Sequence, residues 1–314
     1  TGRPKGVIVT HRGISRLAQW QYENYGLSVP QRVLHHTSIN FGISVWELTS
    51  ALLSGSVLVV ADPDTRMIGE ELTRALVELG IEIVTLTPTA LATLPEQSLP
   101  QLRCIGVGGE ACSLELARTW APRRVFYNGY GPTEATIVVS IAKYGPDVQR
   151  IHIGKAIAGA KLLVLDGGLR VVPVGVAGEL FVGGPGLARG YLGRPDLTAE
   201  RFVADPFAGD GSRLYRTGDR VRVLADGNLE WLGRLDDQVK IRGFRIEVGE
   251  IESVLGCHPA VRQAVVVVND QGRSKRLVGF VVLREAVSGE VLRAFAGESL
   301  PAYMVPSVVM DVES

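Results

Sequence analysis

From Thr1 to about Ala142, short apolar runs alternate with stretches of helical period, and this alternation limits the fold more than any other feature. Ser56 to Ala61, Ile81 to Leu86, Leu102 to Val107 and Val125 to Tyr127 have the length and composition of buried strands. Val7-Ile8-Val9 reads as a further short strand. Between them lie helical patterns. Gly13 to Tyr25 places Leu17 and Trp20 on one face, and Gly69 to Leu79 places Leu72, Leu76 and Leu79 at i, i+4 and i+7. Thr89 to Leu94 and Ser113 to Trp120 follow, the latter with Ser113 as the expected N-cap. Strands separated by helices require crossovers, which predicts βαβ units and a largely parallel sheet.

Around Ile151 the pattern changes. Lys161 to Leu165, Gly178 to Val182 and Arg220 to Val223 are strands set between turns, with hairpin signals at Asp166-Gly167-Gly168 and Ala225-Asp226-Gly227-Asn228. An antiparallel, barrel-like β subdomain is expected. A charged stretch then leads to a helix (Gly249 to Gly256), strands (Val261 to Val268, Arg276 to Leu283) and a helix (Glu290 to Leu300). The fold class is therefore α/β, in three parts. Residues 1–143 form an α/β part of the core, 144–235 a barrel-like part, and 236–314 a small, incomplete α+β C-terminal lid domain, with Arg234 to Asp237 as linker.

Composition excludes several classes. Lys plus Arg and Asp plus Glu both number 33, and this zero net charge argues against a nucleic-acid or anionic-membrane binder. The longest apolar stretch, Ala51 to Ala61, is broken by Ser54, Gly55 and Ser56 and cannot span a bilayer. Cys104, Cys112 and Cys257 form neither an even framework nor a CxxC pair, so reduced, packed thiols in a cytoplasmic protein are expected. No histidine sits at metal-ligand spacing. Glycine is in excess, 37 of 314 residues or roughly 12 % against a usual ~7 %, and marks tight turns or close approaches to a ligand.

Four segments can carry chemistry. Thr1-Gly2-Arg3-Pro4-Lys5-Gly6 suits phosphate oxygens met by backbone amides and one lysine, or is a surface turn. Asn128-Gly129-Tyr130-Gly131-Pro132-Thr133-Glu134 directly follows a strand; Thr133 and Glu134 can meet a phosphate and its Mg²⁺, and Tyr130 a base. Tyr215-Arg216-Thr217-Gly218-Asp219 places an acid after a tight turn, either on a ribose diol or exposed on a hairpin. Gly233 to Gly243 is a charge run, by itself a solvated face.

In this order the four resemble the signatures of the adenylate-forming enzyme superfamily, specifically the adenylation domains of nonribosomal peptide synthetases. Phe41-Gly42-Ile43-Ser44-Val45-Trp46-Glu47, Gly178-Glu179-Leu180 running to Gly186-Leu187-Ala188-Arg189-Gly190-Tyr191, and Leu300-Pro301-Ala302-Tyr303-Met304-Val305-Pro306 extend the resemblance over the whole chain. It implies a ligase of secondary metabolite biosynthesis that joins a carboxylic acid to ATP and passes the acyl group to the 4'-phosphopantetheine thiol of a carrier domain. Both reactants are anions, so positive charge, Mg²⁺ and in-line positioning are needed. The resemblance assigns Lys5 to the β/γ-phosphates, Thr133 to the α-phosphate, Glu134 to Mg²⁺ and Tyr130, beside Gly129 and Gly131, to adenine. Asp219 falls to the ribose hydroxyls and Arg234 to ribose and phosphate. Asp236 matches the hinge of the lid domain, and Lys240, Arg242 and Gly243 the loop that its rotation brings in for thiolation. Carrier and condensation domains in cis, and in some members an MbtH-like protein, are the implied partners.

Two departures stand out. The family's subdomain before Thr1 and its catalytic lysine after Met-Val-Pro fall outside this sequence, so poor or no adenylation by these 314 residues alone is expected. Gly42 also replaces the Asp that pairs with a substrate α-ammonium. The remaining pocket positions by resemblance are Ile43, Trp46, Thr85, Gly106, Gly108, Gly129, Ile137 and Val138. None carries charge, and a buried ammonium without a counter-ion is costly. The expected substrate is an α-keto, α-hydroxy or aryl acid with a bulky or aromatic side chain in a roomy apolar pocket. A stand-alone acyl- or aryl-CoA ligase and a non-catalytic scaffold fragment are the alternatives.

Overall fold

A computed structural model describes residues 5–61, 68–236, 238–241, 243–269 and 276–312. The chain divides into two units, Gly6–Leu235 and a smaller one from Asp236 onward that also includes Lys5.

The larger unit begins with helix α1 (Ile14–Asn24), strand β1 (Arg32–His35), helix α2 (Gly42–Leu52), strand β2 (Val57–Val60), helix α3 (Gly69–Glu78) and strand β3 (Ile83–Leu86). Helix α4 (Pro88–Leu91), strand β4 (Cys104–Val107), helix α5 (Leu114–Trp120) and strands β5 (Val125–Tyr130), β6 (Ser140–Tyr144) and β7 (Lys155–Ala156) complete its first layer. The strands form one sheet in the order β2-β1-β3-β4-β5-β6-β7, parallel through β5 and antiparallel beyond it. Helices cover both faces, and the alternation of the pleat sorts neighbouring residues between two cores. Leu34, Val84, Ile105 and Phe126 pack with Leu72, Leu76 and Trp120 from α3 and α5. Val33, Ile83, Cys104 and Tyr127 pack instead with Leu17, Tyr25 and Trp46 around α1 and α2. The Ser113 cap is present, its hydroxyl accepting from Leu116 N at 3.1 Å.

Several expectations are corrected. Val7-Ile8-Val9 is not a strand; Val7 makes a single bridge to Tyr191. The helix expected over Thr89 to Leu94 is one turn, Pro88–Leu91, capped by the Thr87 hydroxyl. Of the thiols expected to be packed, Cys104 and Cys112 are buried but Cys257 is exposed.

The second layer comprises β8 (Lys161–Leu165), β9 (Ala177–Gly183), helix α6 (Pro195–Arg201), β10 (Phe202–Ala204), β11 (Arg213–Val223) and β12 (Leu229–Arg234). They form an antiparallel sheet in the order β10-β11-β9-β8, with β12 also on β11. Eleven residues long, β11 pairs with β9 on one side and with β10 and then β12 on the other. The ladder is thus an open sheet, not a closed barrel. Both anticipated hairpin turns form, with the Asp166 carboxylate accepting from Gly168 N and Asp226 from Asn228 N.

In the smaller unit, β13 (Gln238–Ile241) and β14 (Phe244–Glu247) make a hairpin whose turn holds Gly243 at φ +79°. Helix α7 (Val248–Gly256), strands β15 (Val261–Asn269) and β16 (Arg276–Leu283), helix α8 (Gly289–Ser299) and strand β17 (Val308–Asp311) surround a separate apolar core that includes Ile251, Leu255, Val281 and Leu292.

Candidate nucleotide and acid site

The strand order reverses between β1 and β3, and in parallel α/β sheets a ligand crevice opens at such a switch, beyond the carboxyl ends of the strands. The proposed pocket residues gather there. Thr85 on β3 stands beside Gly106 on β4 in the ladder, on the α1/α2 face that Ile83 and Cys104 also share. Gly129 lies near the end of β5, and Gly42 opens α2. A Cβ built on Gly42 would lie 3.2 Å from Ile137 Cγ1, and one on Gly129 3.7 Å from both Val138 methyls. Gly108 backs onto the Gly129 carbonyl, 3.1 Å from its own missing Cβ. Ile43 is half-buried on α2, while Trp46 is buried one turn further along.

The space that the glycines leave is partly taken. Tyr25, at the end of α1, sits with its hydroxyl 2.8 Å from where a Gly106 Cβ would be. The pocket is therefore narrower at Gly106 than the glycines alone imply. Tyr25 lies 60 residues before Thr85, and only the packing of α1 on the sheet reveals it.

Thr136 and Ile137 both adopt positive φ (61° and 69°), a conformation disfavoured for β-branched residues and typical of functional sites. Glycines make room for this turn. A Cβ on Gly131 would fall 2.4 Å from the Ile137 carbonyl oxygen, and one on Gly13 within 2.7 Å of the Thr136 side chain. The Thr136 hydroxyl, donating to Gly186 O at 2.5 Å, fixes the turn from the other side.

The same loop leads into the polar part of the site. Thr133 is exposed at the start of a 3-10 turn, whereas Glu134 is only 2 % exposed and accepts from Tyr191 Oη at 2.7 Å. Burial and the neighbouring carboxylate push the Tyr191 phenol far above its ordinary range, so it stays a neutral donor. Asp219 is buried and accepts from Tyr130 Oη at 2.5 Å, Trp231 Nε1 at 2.9 Å and Arg234 Nη1 at 3.2 Å. Burial, then the charge of Asp219, raise the Tyr130 phenol well above its usual value. Tyr130 thus has a hydrogen-bonding partner that its sequence motif did not disclose.

A break in strand register places Asp219. Between Arg216 and Arg220 the pairing of β11 with β9 slips, and Gly218 takes φ +74°. Glu179 of β9 fills the break, accepting from Gly218 N at 3.1 Å and from Arg216 Nε at 2.9 and 3.0 Å. Thr217 Oγ1 accepts from Asp219 N and donates to Leu180 O. Sequence reasoning did not single out Trp231 or Thr217, and it quoted Glu179 only within its motif.

The remaining candidates belong to the smaller unit. Lys5 Nζ donates to Glu247 Oε1 at 2.7 Å, where Gln238 also converges. Asp236 accepts from Gln238 N, and Lys240 lies on β13. Arg242 and the Thr1 to Pro4 part of the first motif lie outside the described residues. No group of three or more His, Cys, Asp or Glu side chains suited to a metal occurs among the described residues. Glu134 and Thr133 nevertheless offer hard oxygen donors, and Mg²⁺ normally takes one or two carboxylates and completes its shell with water and phosphate. No helix among the described residues is long and apolar enough to cross a membrane.

Fold and site together define an α/β protein with a topological switch point in its parallel sheet and a buried acid held by Tyr, Trp and Arg. The chain belongs to the AMP-binding enzyme family, which it matches over residues 1–192, and residues 250–314 match the AMP-binding enzyme C-terminal domain. Phosphinothricin tripeptide synthetase PhsC of Streptomyces viridochromogenes is 47 % identical over 100 % of this chain, which spans 29 % of that protein. NpsA-ThdA, an artificially fused adenylation-PCP di-domain NRPS from Klebsiella oxytoca, superposes with TM-score 0.86 at 28 % identity, covering 99 % of this chain and 59 % of its own. The Vibrio cholerae adenylation domain AlmE, in complex with glycyl-adenosine-5'-phosphate, gives TM-score 0.88 at 27 % identity, covering 100 % of this chain and 62 % of its own.

Proposed function

We propose that this chain is the adenylation domain of a nonribosomal peptide synthetase. It would activate a carboxylic acid with ATP and hand it to a carrier domain in cis. The substrate carboxylate oxygen bonds to the α-phosphorus as pyrophosphate leaves; the carrier thiol sulfur then bonds to the acyl carbon as AMP leaves. The relatives' names support the reading, since one is fused to a PCP and another holds an aminoacyl adenylate.

The observation that carries it is Asp219, a buried carboxylate held in place by Tyr130, Trp231 and Arg234. Such a carboxylate suits ribose hydroxyls, which donate hydrogen bonds to it. Arg234 adds charge beside it. Thr133 would meet the α-phosphate and Glu134 would hold Mg²⁺, which when bound supplies charge neutralisation at the phosphates. Lys5 is assigned to the β/γ-phosphates, and Asp236, Lys240, Arg242 and Gly243 to the lid rotation that precedes thiolation.

For the acid, Gly42 leaves no carboxylate at the mouth of the pocket, so an α-keto, α-hydroxy or aryl acid is favoured over an α-amino acid. Acid-dependent exchange of labelled pyrophosphate into ATP tests both levels, using the full-length protein that contains this chain. Exchange with no acid overturns the adenylation reading. Preference for an L-α-amino acid over its 2-oxo analogue overturns the substrate class alone.

A further inference from the structure

We propose that Tyr25 is a specificity-determining residue that forms the floor of the acid pocket and limits the length of the acid's side chain; this rests on the adenylation reading above. Its hydroxyl accepts from Trp46 Nε1 at 3.1 Å. It stands 2.8 Å from the position a Cβ on residue 106 would take, so Tyr25 and a side chain at 106 exclude one another.

The floor is rigid. The Tyr25 ring contacts Trp20 and Trp46 edge-on, with centroids 5.7 and 6.0 Å apart, and Tyr127 at 5.5 Å. Gln21 on the preceding turn donates to Trp46 O at 2.8 Å and accepts from Thr49, which ties α1 to α2. Burial keeps the phenol neutral. Thr85 is half-exposed while Trp46, Gly106 and Tyr25 are buried, so Tyr25 lies at the deep end. The ring is packed among Trp20, Trp46 and Tyr127, and the hydroxyl, which accepts from Trp46, is the atom that meets the space Gly106 leaves.

The test uses the full-length protein and a homologous series of 2-oxo acids, lengthened one carbon at a time, in pyrophosphate exchange. Tyr25→Phe and Tyr25→Leu are compared with the unaltered chain. Tyr25→Leu is expected to move the optimum to longer acids, raising kcat/KM for the longer acid relative to the shorter by about tenfold or more per methylene accommodated. Thermal stability supplies a second readout: Gly106→Ala lowers the melting temperature beside Tyr25 and is tolerated beside Leu. An unchanged rank order of acids in folded variants, or Gly106→Ala equally damaging in both backgrounds, overturns the role of Tyr25 while leaving adenylation intact. Absence of exchange by the unaltered protein overturns the adenylation reading and this inference with it.

Discussion

Tyr130 donates its phenolic hydrogen to Asp219 across 89 residues of sequence, at 2.5 Å, and so joins the first sheet to the second at the proposed nucleotide site. The bond crosses between β5 and β11, each the carrier of a separate motif. Hydrogen bonds to a charged acceptor contribute about 1.5–3 kcal/mol. A double-mutant cycle of Tyr130→Phe and Asp219→Asn, read by urea unfolding, should return a coupling energy in about that range. Additive effects would show that the two side chains act independently.

Removing the Asp219 carboxylate altogether has a larger consequence. Arg234 has a side chain only 10 % exposed and loses its carboxylate in Asp219→Ala. Breaking a buried pair by deleting one partner costs about 3–5 kcal/mol. The variant should unfold at markedly lower urea and bind ATP·Mg²⁺ more weakly by calorimetry. Wild-type affinity in a folded Asp219→Ala protein would remove Asp219 from the nucleotide site.

Gly131→Ala places a methyl 2.4 Å from the Ile137 carbonyl oxygen and 2.7 Å from Val138 Cα, both backbone atoms that cannot step aside. A loss of about 1–3 kcal/mol is expected, together with displacement of Ile137 and Val138 and poorer acid selectivity. Gly145→Ala is the control, since its added Cβ meets nothing within 4 Å. That variant should stay within about 0.5 kcal/mol of wild type.

Burial raises both Cys104 and Cys112 from an ordinary 9.0 to about 12. Below pH 9 the thiols are protonated in folded and unfolded chains alike, and stability is unaffected. Between 9 and 12 the unfolded chain releases protons that the folded chain retains, so stability falls as pH rises, by about 1.4 kcal/mol per pH unit for each thiol. Guanidinium unfolding at about pH 8 and about pH 10.5 reads the effect, and Cys104→Ala with Cys112→Ala should flatten it. Exposed Cys257 should react with a thiol reagent in the folded protein while the other two do not.

Gly42→Asp tests the acid pocket directly. The new side chain meets Ile137 Cγ1 at 3.2 Å from its Cβ, a contact that a small shift of the isoleucine relieves. On the proposed reading the substitution introduces the missing counter-charge and shifts exchange from 2-oxo acids towards L-α-amino acids. A fixed preference in both proteins would sink the Gly42 argument.

Helix α3 and the strands over Ile83–Leu86 and Cys104–Val107 were legible because each puts apolar residues at one period. Helix α2 was not. It buries Ser44, Glu47, Thr49 and Ser50 along with Trp46 and Ala51, so no amphipathic stripe marks it. Glu47 is accommodated by His35 and Thr37, which contact its carboxylate at 2.7 and 2.6 Å. Val7-Ile8-Val9 failed in the opposite way: it has strand composition, but a strand needs a continuous partner and Val7 finds one bridge.

The sequence by itself determined the alternating α/β core, its antiparallel second layer, the ordered motifs and the uncharged set around Gly42. These depend on local period, turn chemistry and residue type. Tertiary structure decided what stands beside what: Tyr130 on Asp219, Glu179 in the register break that carries Gly218, and Tyr25 in the space that Gly106 leaves. Each such pair lies 39 or more residues apart, where spacing along the chain holds no information and only the packing of sheets and helices brings the atoms together.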